Sequence, residues 1–315
     1  QCDDKSGQQK LLEKYNDLGV TELLLECVYY EWHQNLGLFC QYQNLQKLSL
    51  QTNQQFVSFY GLDRLLQQLQ SFQFNSMARK SPMFHFNQQF GLKVLRMERS
   101  GIQDLQMLTM FPELEELNLS GNKLQNLDGI ENCVNLVSLI VYMNQIQDIS
   151  KIENCTKIKV LNLYKNQIQN TKPLNKLNLL QELTLDNNRI YSVHLDCPKL
   201  QTLSISSNRI MYMDEFEFLA DSTSLIYFDI DENKINVNDQ KEVEKIEFLR
   251  KLVEQNQFVL EHGDDQKLRH QMQSPFVRIQ LRKTRQSKKQ FTMELKCISE
   301  KLQGKKLVIH KQIDD

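Results

Sequence analysis

Residues 136–146 read Leu-Val-Ser-Leu-Ile-Val-Tyr-Met-Asn-Gln-Ile, and residues 158–168 read Ile-Lys-Val-Leu-Asn-Leu-Tyr-Lys-Asn-Gln-Ile. Both follow the pattern Leu-x-x-Leu-x-Leu-x-x-Asn-x-Leu, in which other aliphatic residues replace Leu. Asparagine holds the ninth position in every copy, and the first four copies start 22 residues apart. Unrelated segments do not keep such a pattern in phase, so the chain contains an internal repeat. The six copies begin at Leu114, Leu136, Ile158, Leu180, Leu200 and Leu225.

The pattern predicts the structure of one repeat. Leu136, Leu139 and Val141 lie among more polar neighbours with the two-residue period of a half-buried strand. The asparagine is expected to turn the chain and to hydrogen-bond backbone groups through its amide. The second half of the repeat carries apolar residues such as Ile149 and Ile152, which predict a short 3₁₀ or helical segment behind the strand. One repeat cannot bury its own apolar face, so we expect neighbours to stack into a solenoid with a parallel sheet on its concave face.

The array extends towards the N-terminus in a weaker form. A seventh copy starts at Leu92 and has Ser100 in place of asparagine. Degenerate copies start at Leu45 and Leu69, and a tenth is a candidate at Val20. Terminal repeats often deviate, because they must cover the core and contact water. We predict a solenoid over residues 45–237, preceded by an N-terminal cap or degenerate repeat over residues 1–44.

After residue 237 the period changes. Asp239 followed by Glu242 resembles a helix N-cap with its partner, and Val243, Ile246 and Leu249 mark one helical face. This pattern predicts a capping helix over residues 238–262 that covers the last repeat. The alternative is a helix that presents its apolar face to a partner.

Residues 263–275 are expected to form a linker, and residues 276–315 a basic tail element. Residues 267–311 contain 13 Lys and Arg but two Glu, whereas residues 1–266 carry a net charge of −10. Alternating residues from Val277 to Arg282 favour a β-hairpin or small β-meander, although a helix through Phe291 and Leu295 remains an alternative. The tail is predicted either to contact an acidic surface, such as that of a microtubule, or to be a solvated terminal element. The candidate contact residues are Arg278, Arg282, Lys283, Arg285, Lys288 and Lys289.

Several classes of function find no support in the composition. Mean hydropathy is −0.51, and no apolar run approaches the ~18–20 residues that a membrane-spanning helix needs. The seven cysteines show no Cys-x-x-Cys spacing, and Cys133 and Cys155 occupy equivalent places in adjacent repeats. We expect them to be small buried hydrophobic residues of an intracellular protein. The chain starts at Gln1 rather than Met, as a segment of a longer protein would. Without a phosphate-binding loop, nucleophile elbow or His-x-x-x-His motif, no enzyme, cofactor or metal site is predicted.

The concave face is the expected functional surface. Positions three, five, seven and eight of each repeat project from it. In two adjacent repeats these positions carry apolar and aromatic side chains, which are typical of interface hot spots. Two repeats further on the face is expected to turn acidic. The alternative is that the chain's own N-terminal extension or tail covers these side chains. The predicted contact residues are Ile140, Tyr142, Met143, Val160, Tyr164, Lys165, Asp186, Tyr227, Asp229 and Asp231.

The 22-residue period and the asparagine pattern resemble a subfamily of leucine-rich-repeat proteins. That subfamily includes the leucine-rich-repeat regulator of protein phosphatase 1 and leucine-rich-repeat proteins of axonemes and cilia. The resemblance is strong over residues 92–237 and weak over residues 20–91. It implies an α/β leucine-rich-repeat solenoid that acts as a binding scaffold without catalysis. The phosphatase regulator carries concave aromatic and acidic residues, which this chain matches in part at Tyr142, Tyr164, Asp186 and Asp229.

Three functions therefore stand as hypotheses. The first is a structural subunit of a ciliary, axonemal or other microtubule-associated assembly, in the cytoplasm or cytoskeleton, with protein partners and no membrane. The second is a regulatory subunit of a phosphatase or similar enzyme. The third, ranked last because aromatic residues are sparse there, is nucleic-acid association through the basic tail.

Overall fold

The computed structural model describes residues 21–27, 40, 43–52, 61–76, 88–220, 222–236 and 238–262. Within these residues ten strands form one parallel sheet in chain order, from β1 at one edge to β10 at the other. Consecutive strands pair in register, so that Leu117, Leu139 and Leu161 lie side by side in β5, β6 and β7. The strands are β1 (Glu22–Cys27), β2 (Lys47–Thr52), β3 (Ser71–Ser76), β4 (Val94–Arg96), β5 (Glu116–Asn118), β6 (Ser138–Ile140), β7 (Val160–Asn162), β8 (Glu182–Thr184), β9 (Thr202–Ser204) and β10 (Tyr227–Asp229).

The segments that return the chain from one strand to the next are mostly short 3₁₀ helices, as the repeat pattern predicts. The described residues also form two α-helices, α1 (Leu62–Leu66) between β2 and β3 and α2 (Gln240–His262) after β10. The return segments are bulkier than the strands, so the sheet lies on the inner, concave side of a solenoid. In the described part of the chain the 3₁₀ helices are Gln106–Met110, Ile130–Asn132, Ser150–Asn154, Lys172–Lys176 and Met213–Leu219.

A continuous apolar core runs between the sheet and the return segments. Leu136, Leu139 and Val141 are each 0% exposed, as is Ile152 in the segment behind them. Equivalent residues of the neighbouring repeats join the same cluster, which extends from Leu45 to Val253. Each repeat therefore buries its apolar side against two neighbours, as a solenoid requires.

The asparagines form a ladder that bonds each repeat to the one before it. The Oδ1 atom of Asn144 accepts a hydrogen bond from the backbone N–H of Leu124 at 3.1 Å. Its Nδ2 group donates to the carbonyls of Leu119 and Val141, both at 3.0 Å. Five further asparagines repeat this arrangement, and all but Asn233 are buried: Asn122, Asn166, Asn188, Asn208 and Asn233. The ladder pairs backbone groups that the turn would otherwise leave unsatisfied.

Ser100 takes the asparagine's place at the start of the ladder. Its hydroxyl hydrogen is shared between the carbonyls of Glu98 and Phe74, which lie 3.0 Å and 3.4 Å from the Oγ atom. Phe74 lies in the preceding repeat, so the serine keeps one of the asparagine's contacts across the repeat boundary.

Repeat length varies behind the strands but not along the ladder. The repeat that starts at Leu180 has 20 residues, and no 3₁₀ or α-helix lies between β8 and β9. The next repeat has 25 residues and contains the long 3₁₀ helix Met213–Leu219. The ladder is nevertheless intact here, since the Ile190 N–H donates to Asn208 Oδ1 at 3.0 Å and the Ile210 N–H donates to Asn233 Oδ1 at 3.1 Å. The return segments therefore absorb the difference in length.

Helix α2 packs against the last 3₁₀ helix and covers the end of the core. Ile246, Leu249 and Val253 are buried in this contact. The predicted capping pair is half correct, because the Asp239 carboxylate accepts the Lys241 N–H at 3.0 Å. Glu242 instead turns to the preceding repeat and accepts the Met213 N–H at 2.6 Å. That carboxylate thus anchors the helix to the solenoid rather than closing the helix terminus.

The prediction that Cys133 and Cys155 are small buried residues is confirmed. Both are 0% exposed, and each thiol points to a carbonyl of the preceding repeat, that of Phe111 at 3.6 Å and that of Ile130 at 3.4 Å. Cys197 is also buried. All three are free thiols.

The domain boundaries remain predictions, although several observations agree with them. Strand β1 lies in the region expected to be a cap or degenerate repeat, and it pairs in parallel with β2. Helix α2 occupies Gln240–His262, within the predicted 238–262. The linker and the basic tail, with the contact residues from Arg278 to Lys289, lie outside the described residues.

Replacing Asn144 by Ala should lower the free energy of unfolding by about 2–4 kcal/mol, because it leaves several buried backbone groups unpaired. The midpoint of urea denaturation, followed by circular dichroism, measures the change. Gln145→Ala, at the exposed neighbouring position, is the matched control and should change stability by less than about 0.5 kcal/mol. Equal effects of the two substitutions would contradict a stabilising ladder.

The buried cysteines should make the fold sensitive to alkaline pH. Burial raises the pKa of Cys133 from 9.0 to about 12, and the pKa values of Cys155 and Cys197 to about 11. These raised values mean that the unfolded chain releases thiol protons first. The stability that these three thiols contribute is therefore fully present below pH 9, and it is lost as the pH rises towards 11–12.

Between pH 8 and pH 10 each of these cysteines should lower the free energy of unfolding by about 1 kcal/mol. Urea denaturation under reducing conditions at the two pH values measures the loss. The triple variant Cys133→Ala, Cys155→Ala and Cys197→Ala is the comparison, since it differs from the wild type only in lacking these three thiols. Identical pH dependence in both proteins would show that the thiols are not responsible.

Candidate protein-binding surface

The strands place four side chains of each repeat on the exposed side of the sheet. Positions four and six point into the core, so positions three, five and seven point outwards. Position eight follows at the turn. In the repeat that starts at Leu136, these positions are Ser138, Ile140, Tyr142 and Met143. We call the surface formed by these positions over β4–β10 the concave face.

The concave face over β4 and β5 is polar apart from the half-buried Val94, and several of its polar groups satisfy one another. Arg96 forms an ion pair with Glu116 across the strands at 3.0 Å. The Asn118 amide donates to the Glu98 carboxylate at 2.9 Å, and the Ser120 hydroxyl donates to the Asn118 side-chain oxygen at 2.7 Å. This part of the face is therefore a hydrogen-bonded polar network.

Over β6 and β7 the concave face becomes apolar. Ile140 lies opposite Asn162 and Ser138 opposite Val160, so Ile140 and Val160 are diagonal neighbours. The Met143 N–H donates to the Tyr164 carbonyl at 2.9 Å, which fixes the two repeats side by side through this turn. The structure thus brings six predicted contact residues together, and we call them the central patch: Ile140, Tyr142, Met143, Val160, Tyr164 and Lys165.

Side chains of the central patch are partly or fully accessible. Met143 is 40% exposed, and Tyr142 and Tyr164 are half-buried. Within the described residues, neither tyrosine hydroxyl has a hydrogen-bond partner. Such a side chain offers apolar area and an open donor at the same time, a combination that is common at protein interfaces.

Beyond β7 the predicted acidic residues do not form an open acidic surface. Both carboxylate oxygens of Asp186 lie 2.8 Å from the Ser204 hydroxyl, and one of them accepts the Ser206 N–H at 2.6 Å. Asp229 and Asp231 are 7% and 8% exposed, and Asp229 accepts the Asp231 N–H at 3.0 Å. The half-buried Tyr227 donates its hydroxyl hydrogen to Asp229 at 3.4 Å. These carboxylates order the turns of their own repeats, and their role in partner binding stays a prediction.

Position eight of each repeat has a left-handed backbone. Gly121 has φ of 70°, and Met143 and Lys165 have φ of 56° and 55°. Arg99, Asn187, Ser207 and Glu232 share this conformation. It suits Gly and Asn but strains longer side chains. The central patch therefore keeps Met143 and Lys165 where glycine would be less strained, a feature that sequence periodicity did not reveal.

A shallow depression of about 500 Å³ lies away from the concave face, beside the return segments of the last repeats. Asn175, His194 and Glu215 are among the residues that line it. The Glu215 carboxylate is engaged by the Ser192 hydroxyl at 2.9 Å and the Val193 N–H at 2.7 Å, so it holds two repeats together. No cluster of three His, Cys, Asp or Glu side chains suited to a metal ion occurs in the described part of the chain. The same residues include no helix long and apolar enough to cross a membrane.

Comparisons with known proteins agree with this architecture. Residues 112–154 match the family described as Leucine Rich repeats (2 copies), and no curated protein sequence matches the chain significantly. An internalin, InlF from Listeria monocytogenes, is 19% identical over 76% of this chain and 80% of its own, with a TM-score of 0.52. The fold is a leucine-rich-repeat solenoid. InlJ from Listeria monocytogenes, whose functional domain includes a cysteine ladder, is 20% identical over 75% of this chain and 53% of its own, with the same TM-score.

Leucine-rich-repeat domains are generally protein–protein interaction modules without catalysis of their own. The fold gives this chain a surface for a partner but does not identify the partner. The narrower resemblance to the phosphatase regulator and to ciliary proteins stays a prediction.

Exchanging the residues at position eight between two adjacent repeats should add backbone strain at residue 121 and remove it at residue 143. Gly121→Met should lower the free energy of unfolding by about 1–2 kcal/mol, because of its φ of 70° and because a Cβ atom would lie 2.9 Å from Arg99 Cγ. Met143→Gly should leave stability unchanged or raise it by up to about 1 kcal/mol. Urea denaturation tests both. A loss above about 1 kcal/mol in Met143→Gly would show that this side chain stabilises the fold and is not held ready for a partner.

Proposed function

We propose that this protein is a non-catalytic scaffold subunit that holds a protein partner against the central patch. The assembly we propose is microtubule-associated, of the ciliary or axonemal kind, in the cytoplasm or cytoskeleton. The observation that supports the binding role is the change in the concave face, from a largely polar, hydrogen-bonded surface over β4 and β5 to half-buried Tyr and Val side chains and an exposed Met side chain over β6 and β7.

The central patch fits a particular kind of partner. Its core is apolar, its tyrosine hydroxyls are open, and the Lys165 side chain is exposed at its rim. A partner helix or loop with apolar side chains and hydrogen-bond acceptors would satisfy these groups. The surface is broad and follows a regular sheet, so it favours contact over an area rather than enclosure of a small molecule.

The regulatory-subunit hypothesis receives less support from the same geometry. Of the four residues that resemble the phosphatase regulator, Tyr142 and Tyr164 lie in the open central patch. Asp186 is bonded within its own solenoid, and Asp229 is buried. This chain therefore lacks the complete row of exposed aromatic and acidic residues that the phosphatase regulator carries. We prefer the scaffold proposal for this reason.

The double variant Tyr142→Ala and Tyr164→Ala should weaken the partner contact by more than about 1 kcal/mol, or roughly fivefold, since interface energy concentrates in buried aromatic side chains. Tagged wild type and variant are crosslinked and co-purified from cells that express the protein naturally, with salt-soluble and cytoskeletal fractions kept apart. The variant should retain the wild-type circular dichroism spectrum, because both side chains lie outside the core.

Val134→Ala with Phe248→Ala is the matched control, since both side chains are apolar and exposed but lie off the concave face, on a return segment and on α2. Recovery of several partners in the cytoskeletal fraction, lost in the central-patch variant and kept in the control, is the expected result. Unchanged recovery with the central-patch variant would refute the assignment of the surface. A soluble one-to-one complex with a phosphatase catalytic subunit would instead support the regulatory hypothesis.

A further inference from the structure

A second exposed surface lies on one side of the solenoid, where the strands of the last three repeats turn away from the sheet. Its residues occupy positions ten, twelve and thirteen of the repeat, just beyond the asparagine ladder. The early repeats carry mainly polar residues there, such as Gln145, Gln147 and Gln167. The late repeats carry basic and aromatic residues instead. We call this surface the lateral edge, and it comprises Arg189, Tyr191, Arg209, Met211, Tyr212 and Lys234.

Backbone hydrogen bonds stack the three basic residues in a column. The Arg189 N–H donates to the Ile168 carbonyl at 2.9 Å, and the Arg209 N–H donates to the Ile190 carbonyl at 2.8 Å. The Lys234 N–H donates in the same way to the Ile210 carbonyl at 2.8 Å. Neighbouring positions in such a stack are about one strand spacing apart, roughly 5 Å. The geometry therefore places three cations in a row on adjacent repeats.

The chain does not neutralise this column among its described residues. The side chains of Arg189, Arg209 and Lys234 are exposed, and none forms a hydrogen bond or ion pair there. The nearby carboxylates are engaged elsewhere, since Glu232 accepts the Ser207 hydroxyl, Asp214 pairs with Lys245 and Glu215 binds the return segment of the preceding repeat. Three like charges at this spacing repel one another, and a negatively charged partner would relieve that repulsion.

The column is bordered by a large apolar area. Tyr191 and Tyr212 are each 59% exposed, and Met211 is 50% exposed. Tyr191 and Met211 hold position twelve in consecutive repeats, so their side chains emerge from adjacent turns. Exposed Tyr and Met beside Arg form a composition that is enriched in protein interfaces. A partner for this surface needs acidic groups for the column and apolar side chains for the tyrosines and Met211.

We propose that the lateral edge binds an acidic segment of a partner protein that also carries apolar side chains. Charge around the column favours a protein over a nucleic acid. Residues 180–262 contain 16 Asp and Glu but 8 Lys and Arg, so a polyphosphate extending past the three cations would meet a net negative surface. A short acidic peptide segment would place its negative charges beside the three cations alone and would not extend over the surrounding negative surface. This second contact is separate from the central patch, which lies on other repeats.

The test uses the full chain and three pools of random 12-residue peptides that carry a photo-reactive group. One pool combines Glu with Leu, one Lys with Leu and one Ser with Leu, and a 15-nucleotide single-stranded DNA is tested beside them. Crosslinked positions are mapped by mass spectrometry, which separates binding at the lateral edge from binding at the basic residues after position 267. The Glu–Leu pool should attach within residues 189–234 at least about tenfold more than the Lys–Leu and Ser–Leu pools.

Arg189→Ser, Arg209→Ser and Lys234→Ser together should reduce that attachment about tenfold. The matched control is Lys151→Ser, Lys172→Ser and Lys176→Ser, which removes the same charge from exposed positions on the 3₁₀ segments and should have no effect. The double variant Tyr142→Ala and Tyr164→Ala should also have no effect, so this result is independent of the central patch. Attachment of the acidic pool elsewhere, equal attachment in the triple variant, or stronger attachment of the DNA would overturn the proposal.

Discussion

The asparagine ladder is the constraint on which the rest of the solenoid depends. Each amide bonds a carbonyl in its own repeat and both a carbonyl and an N–H group in the preceding repeat, as Asn144 does with Val141, Leu119 and Leu124. Neighbouring repeats must therefore keep the same distance and register at this turn. Length can change elsewhere, and it does so in the return segments, where a 20-residue and a 25-residue repeat follow each other without a break in the ladder.

This ladder also fixes how the exposed residues are presented. Position eight must adopt a left-handed backbone so that position nine can turn inwards, and Met143 and Lys165 accept that conformation although glycine would suit it better. Position ten then lies on the outside of the turn, which places Arg189 and Arg209 in a column. The concave face and the lateral edge are consequences of one turn geometry, and only the side chains differ between repeats.

The strands, the ladder and the buried cysteines could be predicted from the sequence because they follow a period. Periodicity shows which face a side chain occupies but not which neighbour it contacts. The pattern thus predicts Asp186 to be an open acidic residue, but it is bonded to Ser204 and Ser206. It predicts Glu242 to be a capping partner, but Glu242 accepts a hydrogen bond from Met213. One contact joins two repeats and the other joins a repeat to helix α2, and no sequence pattern encodes such polar pairing. The sequence did not predict the lateral edge for a related reason, since positions ten, twelve and thirteen vary in the motif.

The separation of the two surfaces bears on the scaffold proposal. The central patch lies on β6 and β7, whereas the lateral edge belongs to the repeats of β8, β9 and β10. A continuous core and a continuous ladder join these repeats, so neither surface can shift without breaking buried hydrogen bonds. Two partners bound there would be held at a fixed separation and orientation. A rigid array with two chemically different contacts, one apolar and one cationic, has the physical properties that a structural subunit needs to arrange its neighbours.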